Sequence, residues 1–143
     1  MKLTIILDKE REEEVIIYAK EKTDLVKSIE ELVSKTEKYF TLQNETSIKR
    51  LTEEEIYCFT TEGGKVYALT EKEKFPLKMR LYSAEERLSE DFIKINQSTI
   101  INLKKVKRFD VSVTGTLKVI LKNGFTDYVS RRKIKFVKER LGL

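Results

Sequence analysis

Short apolar runs separated by glycine turns dominate the chain from residue 38 to residue 129. Thr61-Glu62-Gly63-Gly64 stands between Ile56–Thr60 and Lys65–Leu69. Gly115 separates Val111–Thr114 from Leu117–Leu121, and Asn123-Gly124 precedes Phe125–Val129. Glycine reaches positive φ without steric cost, and tight hairpin turns need that conformation. Runs this short make poor helices, because the first helical turn is costly to nucleate. Val111 and Val113 alternate with Ser112 and Thr114, and Leu117, Val119 and Leu121 alternate with Lys118 and Lys122. Such two-residue periods spell strands. Tyr39–Leu42 and Ser47–Leu51 read as strands around the turn-prone Asn44. Phe92–Ile95 and Thr99–Asn102 read as strands around a loop. The single proline, Pro76, suits an edge strand, since it has no N–H for a ladder. Leu81, Glu85 and Leu88 fit a short helix near Ser83–Leu88. After Ser130 the period changes: Ile134, Val137 and Leu141 form a helical stripe, with Ser130 as N-cap and Gly142 as stop.

The first 39 residues form a separate segment. Leu3, Ile5 and Leu7 alternate as a strand, as do Val15, Ile17 and Ala19, with Ile16 and Tyr18 on the second face. Asp8–Glu14 is a charged connection. Thr23 or Asp24 can cap a helix whose apolar face carries Leu25, Val26, Ile29, Leu32, Val33 and Thr36. The expected organisation is thus a small β-β-α segment at 1–39, followed by a mainly β domain at 40–143. The fold class is α+β with an elongated antiparallel β-fold and a short C-terminal helix. The β-β-α segment is too small to bury a core alone, so packing support or dimerisation is its plain role.

Composition removes several chemistries. The chain has no histidine, so the usual general base and the commonest zinc ligand are missing. Its one cysteine, Cys58, lies in the apolar run Ile56–Phe59, where a buried structural thiol is expected. Neither a P-loop nor a dinucleotide-binding glycine pattern occurs. Carboxylates cluster in solvated runs such as Glu12–Glu14 and Glu53–Glu55. No enzyme activity, cofactor or metal is therefore expected. No apolar run reaches the ~18–20 residues of a membrane span, and no signal-peptide pattern follows Met1. A cytoplasmic protein without membrane insertion is the reading.

Charge is unevenly placed. Residues 91–143 carry 13 Lys/Arg against four Asp/Glu, whereas residues 1–90 carry 16 against 20. A basic block of net +9 interleaved with amides and hydroxyls suits a polyanion, nucleic acid first. Within it, Phe92-Ile93-Lys94-Ile95-Asn96-Gln97-Ser98-Thr99-Ile100-Ile101-Asn102 resembles the signature of LytTR-type DNA-binding domains, roughly Phe-x-Arg-Ile-His-Arg-Ser-Tyr-Ile-Val-Asn. Val106, the hairpin at Gly115, Leu-Lys-Asn-Gly at 121–124 and Val-Ser-Arg-Arg at 129–132 follow in the family's order. Upstream, Glu55–Phe59 resembles its opening strand. The resemblance covers about residues 40–143.

That resemblance implies a bacterial transcription regulator that binds specific double-stranded DNA. Loops at one edge of the β-fold would enter two successive major grooves and the minor groove between them. Two protomers would commonly sit on tandem half-sites. Three loops would make the contacts: the hairpin with Lys65, then Asn96-Gln97-Ser98, then Arg131, Arg132 and Lys133 after Ser130. Gln97 stands where the family directs Arg or Asn at DNA, Asn96 replaces its His, and Thr99 its aromatic residue. Arginine matches guanine O6/N7 and glutamine pairs bidentately with adenine. Lys94, Lys104, Lys105, Lys107, Arg108 and Lys135 are candidates for phosphate contact or general attraction. Asn102 sits at a strand end, where holding a turn is its expected role. The segment before the resemblance is too short for a phosphoacceptor receiver domain. Stand-alone members of this kind are often controlled by abundance or by a membrane-bound inhibitor protein. Two other readings stay open at this point: a protein-interaction module whose basic face meets an acidic partner, and an RNA-binding β-domain using Phe59, Tyr67 and Phe125.

Overall fold

The computed structural model describes residues 1–37 and 39–143, without the side chains at 34–37. Thr36, expected on the apolar face of the first helix, lies outside the described side chains. The chain forms two units, Met1–Glu37 and Lys38–Leu143.

In the first unit, helix α1 spans Asp24–Glu37. Thr23 caps it: its Oγ1 accepts the Val26 N–H at 3.3 Å. The two strands expected before it are absent among the described residues. Residues 1–23 are exposed and carry only a turn near Lys9, where Asp8 Oδ1 accepts the Glu10 N–H at 3.0 Å. Alternation marks what a strand would bury, but a ladder also needs a partner. A lone two-stranded hairpin is marginal in water, and the unit offers no sheet to extend.

Among its described residues, the second unit is built from ten strands, two α-helices and two short 3-10 helices. Strands β1 (Tyr39–Gln43) and β2 (Ile48–Thr52) form a hairpin. Asn44 holds its turn, its Oδ1 accepting the Thr46 and Ser47 N–H groups at 3.0 and 2.8 Å. A five-stranded antiparallel sheet follows, in the order β5 (Lys74–Leu77), β4 (Lys65–Leu69), β3 (Cys58–Glu62), β7 (Thr99–Asn102), β6 (Phe92–Asn96). Pro76 lies in β5, an edge strand. A three-stranded sheet has the order β10 (Thr126–Val129), β9 (Leu117–Leu121), β8 (Val106–Val111).

The five-stranded sheet lies in the middle and is buried on both faces. Phe59, Phe92 and Ile100 point into one core with Phe40, Leu51 and Leu81. Helix α2 (Leu81–Arg87) and the β1–β2 hairpin close that side. The neighbouring residues Cys58, Ile93 and Ile101 point into a second core with Val119, Leu121 and Val137. This explains the continuous apolar dipeptides at 58–59, 92–93 and 100–101: a strand covered on both faces alternates between two cores, not between core and water.

Helix α3 (Arg131–Arg140) closes the second core through Val137, which is fully buried. Leu141, expected in its buried stripe, lies past the helix end and is 40% exposed. Gly142 adopts φ +80°, and its N–H donates to the Glu139 carbonyl at 3.1 Å, a left-handed terminal cap. The strand expected at Val111–Thr114 starts and ends earlier, as β8. Ser112 instead organises the turn, its Oγ accepting the Thr116 N–H at 3.1 Å, and Val113 is fully exposed.

Candidate nucleic-acid interface

Three loops meet at one end of the central sheet. The β3–β4 hairpin turns through Gly63 and Gly64, at φ +56° and +80°. The loop between β6 and β7 lies beside it, because the Thr61 N–H donates to the Ser98 carbonyl at 2.8 Å. The start of α3 is tied to the same loop, because the Ser130 N–H donates to the Ile95 carbonyl at 2.9 Å. Asn96, Gln97, Ser98, Asp127, Ser130, Arg131 and Arg132 together line an open depression of ≈ 660 Å³.

The candidate residues divide by what their side chains do. Gln97, Ser98, Lys65, Arg131 and Arg132 are exposed. Among the described residues no carboxylate pairs with Lys65, Arg131, Arg132 or Lys133. Glu62, opposite Lys65 in the hairpin register, pairs with Lys74 instead. Lys133 rests against a ring, its Nζ 5.6 Å from the centroid of Phe136. Asn96 is different. Its Nδ2 donates to Asp127 Oδ2 at 3.0 Å and to the Tyr128 carbonyl at 2.8 Å, and its Oδ1 accepts the Ser98 N–H at 2.8 Å. The whole amide is committed to holding the loop.

Asp127 is a residue that sequence reasoning missed. Its Oδ2 also accepts from Thr99 Oγ1 at 2.7 Å, and Thr99 lies 3.1 Å from Thr60 Oγ1 in the buried interior. An acidic residue inside a basic block has no sequence signal for such a role. Only the placement of β10 beside the loop puts it under Asn96. The Thr60–Thr99–Asp127–Asn96 chain fixes Gln97 from below without occupying its side chain. Asn102 is a structural residue, as its position implies. It is 1% exposed, its Nδ2 reaches the Ile56 carbonyl at 3.0 Å, and its Oδ1 accepts the Lys104 N–H at 3.0 Å.

The electrostatics of α3 are unusual for a helix start. Its first turn holds no acidic residue, and it begins Arg-Arg-Lys. Cations there add to the positive end of the helix dipole instead of offsetting it. Ser130 occupies the N-cap, yet among the described residues its Oγ is buried without a hydrogen-bond partner and caps nothing. A free helix N-terminus flanked by unpaired guanidinium groups is a place for an external anion.

The remaining basic residues are not all gathered here. Lys94, on β6, and Lys135, on α3, belong to elements that reach the loop end. Lys104 and Lys105 follow β7 at its opposite end, and Lys107 and Arg108 lie at the matching end of β8. Lys104 pairs with Asp91 at 3.2 Å, Arg108 with Asp110 at 3.0 Å, and Lys105 Nζ lies 5.2 Å from the Tyr57 ring centroid. Cys58 is buried in the second core, and burial pushes its thiol up to about 12. No group of metal-binding side chains occurs among the described residues.

Comparison with known proteins fits this geometry. An HTH-type transcriptional regulator of Staphylococcus aureus (strain MSSA476), itself uncharacterized, is 33% identical over all of this chain and 99% of its own length. A counterpart in strain NCTC 8325 is 32% identical with the same coverage. The helix-turn-helix label in their names does not describe the fold here, in which α1, α2 and α3 are separated by strands. A solved LytTr DNA-binding domain from Bacillus cereus superposes with a TM-score of 0.69, covering 75% of this chain and 99% of that one at 21% identity. The pattern of the LytTr DNA-binding domain matches residues 46–142, which contain all three loops, and the chain belongs to that family.

Proposed function

We propose that this chain is a bacterial transcription regulator that binds specific double-stranded DNA through the three-loop end of its central sheet. The observation that carries this is the convergence of Gln97, Arg131 and Arg132, exposed and without carboxylate partners, around one depression at a helix N-terminus. The family membership and the names of the relatives support the same reading. In it, Arg132 and Gln97 read base edges, and Lys65 reaches an adjacent groove from the hairpin. Arg131, Lys133 and Ser98 contact the same stretch of backbone or bases. Asn96 and Asp127 hold the reading loop in place. Lys94 and Lys135 meet nearby phosphates, while Lys104, Lys105, Lys107 and Arg108 supply attraction at longer range. Two protomers occupy tandem half-sites.

The test is gel-shift titration of the chain on its own promoter region, against scrambled duplex and an RNA competitor. Arg132→Ala and Gln97→Ala are each expected to lose ~1–3 kcal/mol of discrimination between cognate and scrambled duplex. Lys105→Ala is expected to weaken both about equally, because phosphate attraction carries no sequence information. Equal binding of wild type to every duplex would end the specific-regulator reading, and preference for the RNA would replace it. A cytoplasmic location follows from this role. No helix among the described residues is long and apolar enough to cross a membrane. Control by a membrane-bound inhibitor protein is a further part of the reading. Co-sedimentation of the chain with membranes of its own cell tests it.

A further inference from the structure

The outer strand of the central sheet leads into two cations that stand outside the basic block. Lys78 and Arg80 belong to residues 1–90, which hold 16 Lys/Arg against 20 Asp/Glu. The fold brings them to the loop end all the same. β5 runs antiparallel to β4 with Leu77 opposite Val66, so one step further Lys78 stands across from Lys65. Burial alternates along both strands and leaves Lys78 and Lys65 exposed on the same face. Like charges directly opposed across a ladder destabilise it. Glu62 faces Lys65 from the other side, but its carboxylate is taken by Lys74. Lys74 lies over the Tyr67 ring, its Nζ 4.3 Å from the centroid. Arg80 is exposed as well, and its carbonyl accepts the Ser83 and Ala84 N–H groups at 3.1 Å, which fixes its backbone. Among the described residues no carboxylate pairs with Lys78 or Arg80.

We propose that Lys78 and Arg80 form a phosphate-holding site for duplex DNA beside Lys65, an inference that rests on the reading of the chain as a DNA binder. Two opposed lysines without a carboxylate between them are left in repulsion in the free protein. An external anion relieves that repulsion, and charge-assisted hydrogen bonds to phosphate oxygens are among the stronger ones. Position separates this site from the start of α3. The sheet order places β5 four strand spacings from β6, about 19 Å at ~4.8 Å each. The major groove is about 12 Å wide, so the two ends of this row do not share one groove. While Gln97 and Arg132 take one groove, Lys78 and Arg80 meet the backbone that borders the groove entered by Lys65. Contacts to phosphate fix register and orientation without choosing sequence. The site therefore sets how far the footprint extends past the hairpin, and it leaves base choice to the loops.

Gel-shift titration of the full chain on its promoter duplex, over a series of salt concentrations, tests the proposal. Lys78→Ala and Arg80→Ala should each reduce the slope of log K against log salt by about 0.9. Discrimination between cognate and scrambled duplex should stay as in wild type. Neutral methylphosphonates, placed one at a time along the duplex, locate the contact. Wild type should lose affinity at a phosphate where Lys78→Ala loses no more. That phosphate should differ from the ones that Arg131→Ala ceases to sense. Lys78→Glu sets a carboxylate across from Lys65. It should raise the urea midpoint of the free protein while weakening DNA binding more than Lys78→Ala, a combination that unfolding does not produce. An unchanged salt slope in either alanine variant overturns the proposal. So does an altered base preference, a methylphosphonate pattern shared with Arg131→Ala, or a urea midpoint that fails to rise in Lys78→Glu. If wild type prefers no duplex, the DNA reading fails and this site falls with it. Wild-type preference with unchanged slopes in the variants ends this site alone.

Discussion

A residue in this interface matters through what its side chain is free to do. Gln97 and Asn96 are adjacent amides, yet Asn96 makes three hydrogen bonds inside the fold and Gln97 none among the described residues. Asn96→Ala should therefore act first on stability, by about 1–2 kcal/mol in urea denaturation, since a net internal hydrogen bond is worth ~0.5–1.5 kcal/mol and Asp127 loses a partner. Gln97→Ala should leave the urea midpoint unchanged. If the two variants unfold alike, Asn96 does not hold the loop. Cys58 offers a second check. Burial raises its pKa first, with Asp127 and Glu62 adding to the shift, so the folded protein keeps a neutral thiol at pH 8. Iodoacetamide should label it only after unfolding. By proton linkage, the stability tied to this shift is fully present below the unfolded thiol's pKa. That stability is lost as pH rises from about 9 to about 12, because only the unfolded state deprotonates there.

At the level of elements, turns and helix ends aim the loops. Gly63 and Gly64 both sit at positive φ with open space around them. A side chain there meets no neighbour, so the cost of Gly64→Ala is conformational alone, about 1–2 kcal/mol. The variant should lower the thermal midpoint and loosen the hairpin that carries Lys65, both readable by calorimetry and amide exchange. Helix α3 is anchored differently. Its ten residues touch the core chiefly through Val137, with Ile134 packed beside it. Val137→Asp places an unpaired charge in that core, so α3 should detach and Arg132 lose its position. DNA discrimination should then fall at least as far as in Arg132→Ala, while the β1–β2 side of the molecule keeps its exchange protection.

Across the whole molecule, charge and shape separate into two tasks. Among the described residues, Lys65, Arg131, Arg132 and Lys133 at the loop end have no carboxylate partners, whereas Lys104 and Arg108 at the far end are paired with Asp91 and Asp110. Paired cations release fewer counterions on meeting DNA. The logarithm of the binding constant should fall linearly with the logarithm of salt concentration, by ~0.9 per phosphate neutralised. Arg131→Ala should reduce that slope by about one, and Arg108→Ala by clearly less. Equal reductions would show that the far end also touches phosphates.

Much of this was legible from the chain itself, for reasons that are local. Gly63-Gly64 and Asn123-Gly124 mark turns because positive φ is a property of one or two residues, and Pro76 marks an edge because it lacks one N–H. The order of loops around Gln97 and Arg132 was visible as a family resemblance. What stayed hidden depends on contacts between residues far apart in sequence. Asp127 reaches Asn96 across 31 positions, and nothing near Asp127 announces it. Leu141 fits a helical stripe, but where α3 stops decides that it is exposed. The alternation at Leu3–Leu7 and Val15–Ala19 is the sharpest case. It states which residues a strand would bury, but a strand exists only where a partner's backbone lies alongside. The sequence by itself determined hairpins, core faces and a basic end. The tertiary structure alone decided which polar groups at the loop end are left free for an outside partner, because a side chain is available only when the fold has not already satisfied it.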